Sequence, residues 1–177
     1  KASRAEGKRL LKDAGVNLKF ELHNRGVDQP YKVVGTWLMD QWKKGYGAKV
    51  TQRVQPSPQF YASLRKKKDF DVSIDFNCQS VINPIADITK FLTKAGNNYA
   101  GGGDAKADAI YDKLLRSADP KEQRALIRQY EKRVIDETMV AAITLWWYKI
   151  NPHRSYVKGW KIAPSHYLNQ HLDNVWL

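Results

Sequence analysis

A pair of helices, Asp108 to Thr138, constrains this chain more than any other feature. Ala107, Ile110, Tyr111, Leu114, Leu115 and Ala118 recur at helical spacing and make one apolar stripe. Asp119-Pro120-Lys121-Glu122 follows. Asp119 is placed to cap the next helix, and Pro120 suits its first position, where a missing N–H costs nothing. Glu122 stands where a capping box needs its carboxylate. The second helix continues through Leu126, Ile127, Tyr130, Val134 and Ile135. Beyond it, Val140 to Lys149 reads as an apolar strand carrying the cluster Trp146-Trp147-Tyr148. By themselves the two helices define an amphipathic hairpin.

The first half of the chain alternates between the two periods. Leu18 to His23 alternates apolar and polar residues, as a half-buried strand does. Asp28 to Lys44 reads as a helix with Val33, Val34, Trp37, Leu38 and Trp42 on a broad apolar face, ended by Gly45 and Gly47. Ala48 to Val54 is the next strand. Ser57-Pro58 opens a helix through Phe60, Tyr61 and Leu64, and Phe70 to Phe76 is a third strand. This rhythm predicts an α/β fold with helices packed over a sheet. Cys78 to Pro84 reads as a loop and Ile85 to Leu92 as a short helix. Asn97 to Gly103 reads as the most flexible, mobile surface segment, and Tyr156 to Ile162 as a further strand.

A chain of 177 residues favours one domain, or one lobe of a larger protein. No apolar run approaches the roughly 20 residues of a membrane span. The chain opens on a helix, with Ser3 and Glu6 as a capping box, Leu10, Leu11 and Ala14 on one face, and Gly15 as the stop. A packed element so near the start argues for a piece of a longer protein. The net charge of +12 could attract nucleic acid, anionic lipid or an acidic ligand. It equally fits plain solubility, with the counter-charge on a missing partner lobe. Arg65-Lys66-Lys67-Lys68 sits at an expected helix end, where cations favour the last carbonyls.

Signatures of catalysis are absent. His23, His153, His166 and His171 make no metal-ligating pair, and with the single Cys78 no zinc site is expected. Cys78 has no base placed beside it and reads as a buried, inert thiol. Asp71 and Asp75 share a strand face with Ser73, the ordinary pattern of one wet face. Gly101-Gly102-Gly103 lacks the Lys-Ser/Thr of a phosphate loop. No cofactor and no metal are expected. The aromatic cluster is more suggestive. In a strand, Trp146 and Tyr148 face one side and Trp147 the other, so one side packs in the core and the other can line a cleft. Packing of all three in the core is the alternative.

Several short motifs occur in an order that resembles the family 5 extracellular solute-binding proteins, the peptide- and nickel-type receptors of ABC importers. They are Leu10-Leu11-Lys12-Asp13-Ala14-Gly15, then Gln41-Trp42-Lys43-Lys44-Gly45, then Phe70-Asp71-Val72 and Asn83-Pro84. The hairpin block from Tyr111-Asp112-Lys113-Leu114-Leu115 through Arg124, Tyr130 and Glu131 follows, then Val157-Lys158-Gly159 and Asp173-Asn174-Val175-Trp176-Leu177. The resemblance implies that residues 1–177 are most of the C-terminal lobe of a two-lobed, type II-like periplasmic-binding-protein fold, with a mixed sheet flanked by helices.

The implied function is capture of a small solute, peptide-like, sugar or otherwise polar, without bond chemistry. The implied partners are that solute, the permease subunits and the missing N-terminal lobe, with no nucleic acid. The implied place is the periplasmic or extracellular side of the cytoplasmic membrane, with a signal peptide outside this sequence. Candidate ligand-binding residues are Arg65, Asn77, Cys78, Gln79, Ser80, Trp146, Trp147 and Tyr148. Peptide-binding relatives place a Trp, and three residues on an Asp for the peptide's amino group, where this chain has Asn77 and Ser80. A buried ammonium without a carboxylate is costly. The departure therefore argues against a free-amine peptide and for a sugar, an amide or an acidic solute. Arg65 resembles a basic residue that some relatives use on a peptide carboxylate. A basic nucleic-acid-binding domain is the alternative reading and an α/β hydrolase a third. Interleaved carboxylates oppose the former, and the missing nucleophile–base pair opposes the latter.

Overall fold

The computed structural model describes residues 2–76, 83–146, 148, 150, 152–162 and 172–177. They fall into two compact units, Lys1–Phe76 and Asn77–Leu177.

The first unit opens with α1 (Ala2–Asp13). Gly15 ends it at φ +64°, so that Val16 N–H reaches the Leu11 carbonyl and Gly15 N–H the Lys12 carbonyl, both at 3.1 Å. A left-handed residue without a Cβ satisfies the orphan carbonyls at low cost. The expected Ser3–Glu6 box does not form. Ser3 already lies inside the helix, and Glu6 pairs with Arg9 at 2.6 Å, a charged donor that outcompetes a backbone amide.

β1 (Lys19–Arg25) is followed by α2 (Val33–Tyr46), β2 (Lys49–Gln55), α3 (Ser57–Ala62) with a wider turn over Ser63–Lys67, and β3 (Val72–Ser73). The helix expected from Asp28 starts regularly only later. Gln29, at φ −109° and ψ 130°, is extended because it precedes Pro30. The strands are parallel in the order β2-β1-β3, with Lys19 opposite Lys49, Arg25 opposite Gln55, and Leu22 opposite Val72. The central strand is covered on both faces, as parallel sheets require. Phe20 meets Trp42 of α2 edge-on at 5.2 Å, and His23 meets Phe60 of α3 at 4.7 Å. Leu22, His23 and Asn24 are fully buried.

β3 is shorter than the expected Phe70–Phe76. The Asp71 carboxylate accepts the Glu21 N–H at 2.9 Å, in place of a backbone carbonyl, and only Ile74 N–H to His23 O (3.0 Å) extends the pairing.

The second unit contains α4 (Pro84–Asp87), a 3₁₀ turn over Ile88–Phe91, α5 (Ala105–Arg116), and α6 (Pro120–Glu131), which runs into a wider turn over Lys132–Glu137. Asn83 caps α4 by accepting the Ile85 N–H at 3.0 Å. Most of the expected stripe is the core: Ala107, Tyr111, Leu114, Leu126, Tyr130 and Val134 pack together, backed by Ile85, Ile88 and Phe91. Leu115 and Ala118, expected on the same stripe, are exposed, because Leu115 falls on the side of α5 turned away from this core and Ala118 lies beyond its end at Arg116. The two tyrosines keep their hydroxyls satisfied, Tyr111 on Ile85 O (3.3 Å) and Tyr130 on Ile88 O (3.0 Å). Asp119 caps α6 through Lys121 N–H at 2.9 Å, whereas Glu122 takes the Ser117 hydroxyl instead of closing a box.

Asn97–Gly103 is a largely exposed loop, as expected, built around a buried amide. Asn98 donates to Leu92 O at 3.0 Å and Gly102 O at 2.6 Å, and accepts from Gly101 N–H at 3.1 Å. Val140–Lys149 forms no strand among the described residues. A strand is stabilised by a paired neighbour, and none of the described residues pairs with this segment. The strand expected over Tyr156–Ile162 reduces to one antiparallel bridge, Lys158 with Trp176, at 2.8 and 3.1 Å.

Candidate ligand-binding site

In the first unit β1 is the central strand, with β2 on one side and β3 on the other. At such a reversal the connections leave in opposite directions and open a crevice beyond the carboxyl ends of the strands, the usual place for a ligand in open α/β sheets. The side chains at that end are polar or aromatic.

His23 Nε2 lies 2.8 Å from Gln55 Oε1, which also accepts from Ser63 Oγ at 3.2 Å. Gln52 Nε2 donates to Asn24 Oδ1 at 2.9 Å. This network is buried and fixes the strand ends. Burial first, and then the nearby Arg53 charge, push the His23 pKa below its ordinary value of 6.5. The ring is therefore neutral at pH 7, with its proton on Nε2.

Arg25 closes β1. Its guanidinium carbon lies 4.2 Å from the Tyr31 ring centroid, 4.9 Å from Phe76 and 5.5 Å from Tyr61. The rings come from the turn before α2, from beyond β3, and from α3. Aromatic faces hold a cation through their quadrupole without neutralising it. Arg25 Nε is buried and has no hydrogen-bond partner. Arg65 approaches the same Tyr61 ring at 5.2 Å.

Of the residues expected from sequence, Arg65 belongs to this end of the first unit, exposed and stacked on Tyr61. Asn77, Cys78, Gln79, Ser80 and Trp147 lie outside the described residues. Trp146 and Tyr148 belong to the second unit and are 87% and 92% exposed, so neither packs in its core. Sequence reasoning missed Arg25, Tyr31, Tyr61 and Phe76. The available signal was a lone cation at the carboxyl end of an alternating strand in an α/β rhythm.

A depression of about 580 Å³, lined by Leu11, Lys12, Leu18, Tyr46 and Lys49, lies at the amino ends of β1 and β2. Its lining includes Asn17 as well as the two lysines and Tyr46, and it holds no arginine set among aromatic rings, the arrangement found at the carboxyl end. Among the described residues, no group of three His, Cys, Asp or Glu side chains could hold a metal ion. No helix among them is long and apolar enough to cross a membrane.

No family model matches the chain. An 81-residue stretch, 45% of the chain, is 28% identical to the pheromone-processing carboxypeptidase KEX1 of Verticillium alfalfae and covers 13% of that protein. Solved structures match far more of it. The murein tripeptide binding protein MppA of Escherichia coli superposes on 76% of the chain with a TM-score of 0.71 at 20% identity. OppA of Haemophilus influenzae, in complex with RPPGFSPFR, covers 74% at a TM-score of 0.69 and 19% identity. The substrate-binding domain of an oligopeptide ABC transporter of Bacillus anthracis covers 77% at 0.64 and 24% identity. The chain spans 26–27% of the length of these proteins. They are binding proteins, not enzymes. Over about three quarters of its length, the chain has the α/β fold of the periplasmic peptide-binding proteins.

Proposed function

We propose that the chain is most of the C-terminal lobe of a two-lobed solute-binding protein, the receptor of an ABC importer on the outer side of the cytoplasmic membrane. The observation that carries this reading is the set of groups at the carboxyl edge of a parallel sheet, on a fold shared with peptide-binding receptors. Such an edge offers one wall of a cleft. Arg25, Arg65 and the three rings form its described part. Asn77, Cys78, Gln79 and Ser80, which follow Phe76 directly in sequence, are proposed as further solute contacts. Within the second unit Trp146 and Tyr148 expose flat aromatic surface of the kind that binds solutes.

The solute is a small polar molecule: peptide-like, a sugar or an organic acid. An N-terminal lobe supplies the opposite wall, and closure of the two lobes on the solute is what the permease recognises. Function then rests on the difference in solute affinity between the open and closed states. One wall alone binds weakly, because affinity comes from enclosure.

The test is a thermal-shift screen of the two-lobed protein against peptides, sugars, opine-like acids and metal chelates. A specific stabiliser supports a receptor, since ligand raises apparent stability by mass action. No shift, together with DNA binding that falls steeply with salt, would replace this reading by the nucleic-acid one. The surface gives that alternative little support: Arg9 is paired with Glu6 and Asp13, Lys32 with Asp28, and Lys44 with Asp40.

A further inference from the structure

We propose that the amino-terminal edge of β1 and β2 is a docking surface for an anionic lipid bilayer, carried by lysines that the fold does not neutralise.

β1 and β2 start in register, so Lys19 stands directly opposite Lys49. Like charges opposed on neighbouring strands repel, and work against the pairing that aligns them. Lys49 also lines two depressions. One, of about 580 Å³, brings in Lys12 from the end of α1, and the other, of about 400 Å³, brings in Lys43 from the end of α2. Lys12, Lys19, Lys43 and Lys49 are all exposed, and none has a carboxylate within ion-pair distance among the described residues. The carboxylates of α1, α2 and β1 are already taken. Arg9 holds Glu6 at 2.6 Å and Asp13 at 2.7 Å, Lys44 holds Asp40 at 2.7 Å, and Arg53 holds Glu21 at 2.7 Å. β2 carries none.

Helix ends ordinarily account for cations such as Lys12 and Lys43, because the last carbonyls favour positive charge. Here those carbonyls are occupied. Val16 N–H donates to Leu11 O, Gly15 N–H to Lys12 O, Ala48 N–H to Trp42 O, and Gly47 N–H to Lys43 O. Lys19 and Lys49 begin strands, so the helix-end account does not reach them.

Between the cations the surface is apolar. Leu11, Val16 and Leu18 line the larger depression, and Val16 is exposed. Ammonium groups spread around apolar side chains match a bilayer surface, where phosphates lie over hydrocarbon. Lysine is a compact point charge on a flexible stem, which suits a mobile headgroup layer better than one fixed anion. No arginine lines either depression, and their one aromatic ring, Tyr46, is half-buried and packed over Gly7. The stacking platform of a single-strand binder is therefore not offered on this edge. Arg25 and Gln55 close the opposite ends of the same two strands, roughly 20 Å away. A bilayer on the amino edge leaves the carboxyl edge of the sheet open to solute, whatever that solute is.

The test is co-sedimentation of the full chain with vesicles of phosphatidylcholine alone and of phosphatidylcholine mixed with phosphatidylglycerol. It is run at ionic strengths of about 0.1 M and about 1 M, where charges act over roughly 10 Å and 3 Å. K19Q/K49Q removes the opposed pair. K113Q/K121Q removes the same charge from two exposed lysines of the second unit. Duplex DNA serves as the competing polyanion.

Wild type should bind only the vesicles that contain phosphatidylglycerol and leave them at about 1 M. K19Q/K49Q should weaken that binding roughly twenty-five-fold, on the order of fivefold per lysine, while K113Q/K121Q stays near wild type. K19Q/K49Q should also melt at or above the wild-type midpoint, because it relieves a repulsion. Equal binding to both vesicle types, binding to neither, or an equal loss in the two variants would overturn the assignment. A lower midpoint for K19Q/K49Q would overturn it too, since the lysines would then serve the fold. DNA that strips the chain from the anionic vesicles, with the same dependence on Lys19 and Lys49, would give this edge to nucleic acid instead.

Discussion

Arg133 grips Asp104 through two nitrogens, Nε to Oδ2 at 2.5 Å and Nη2 to Oδ1 at 3.0 Å, and reaches Glu137 with Nη1 at 2.6 Å. The same Asp104 carboxylate caps α5 by accepting Ala107 N–H at 3.1 Å. One side chain thus ties the start of α5 to the turn that ends α6.

The Arg133 hydrogen bonds hold the Asp104 carboxyl down from 3.8 to about 2. A depressed folded-state value means stability that is complete above the unfolded Asp range near 4. It is lost as the pH falls through about 2. Asp104→Asn should therefore lower the melting midpoint of the second unit at pH 7. The gap to wild type should close as the pH drops from 4 toward 2. Circular-dichroism melts at pH 7, 4 and 2 decide it; identical midpoints at pH 7 would sink the idea.

Tyr130 is buried, and its hydroxyl donates to Ile88 O at 3.0 Å. Tyr130→Phe keeps the ring and strands a carbonyl, which costs about 1–3 kcal/mol. Leu114→Ala, in the same core, removes a fully buried side chain and should cost about 2–5 kcal/mol. Urea titrations measure both. A larger loss for Y130F than for L114A would mean that the hydroxyl, rather than packing, dominates this core.

Asn98 makes three hydrogen bonds from a side chain that is 4% exposed. Asn98→Ala leaves the Leu92 and Gly102 carbonyls without that donor, at a cost of about 1–3 kcal/mol. The consequence is local opening. Limited proteolysis should cut within 97–103 in the variant and spare wild type under the same conditions. Equal resistance would show that the loop is held by its backbone alone.

His23 is buried against Phe60 with a lowered pKa. Its neutral form belongs to the folded state, so stability is complete above the unfolded value of 6.5. It declines as the pH falls below that point toward the lower folded value. The His23 ring-proton NMR signal should stay unchanged as the pH is lowered to 6.5. A His23 midpoint at or above 6.5 would contradict the burial argument.

The hairpin was legible because its signals are local. Helical spacing placed Tyr111, Leu114, Tyr130 and Val134 on one face, and that face is the core. Asp119 and Pro120 marked the second start, and Gly15 the first stop. Glu122 was misread because two acceptable partners lay within reach, and the Ser117 hydroxyl took it. The site was far less legible. Arg65 drew notice through its charge run, whereas Arg25 carries no local signal beyond its place at a strand end. Tyr31, Tyr61 and Phe76 lie 6, 36 and 51 residues beyond it, a separation that no window of local periodicity spans.

Sequence alone determined which stretches coil into helices and several of their ends, such as Asp119 and Gly15, though α2 begins at Val33 rather than Asp28. Those choices depend on the preferences and caps of residues within a few positions of one another. Tertiary structure alone decided the order β2-β1-β3, the shortening of β3 by the Asp71–Glu21 contact, and the absence of a strand over the described part of Val140–Lys149. It also decided the ring of aromatics around Arg25. Strand pairing and the surroundings of a charge draw their free energy from partners remote in the chain. Only the folded arrangement specifies which partners arrive.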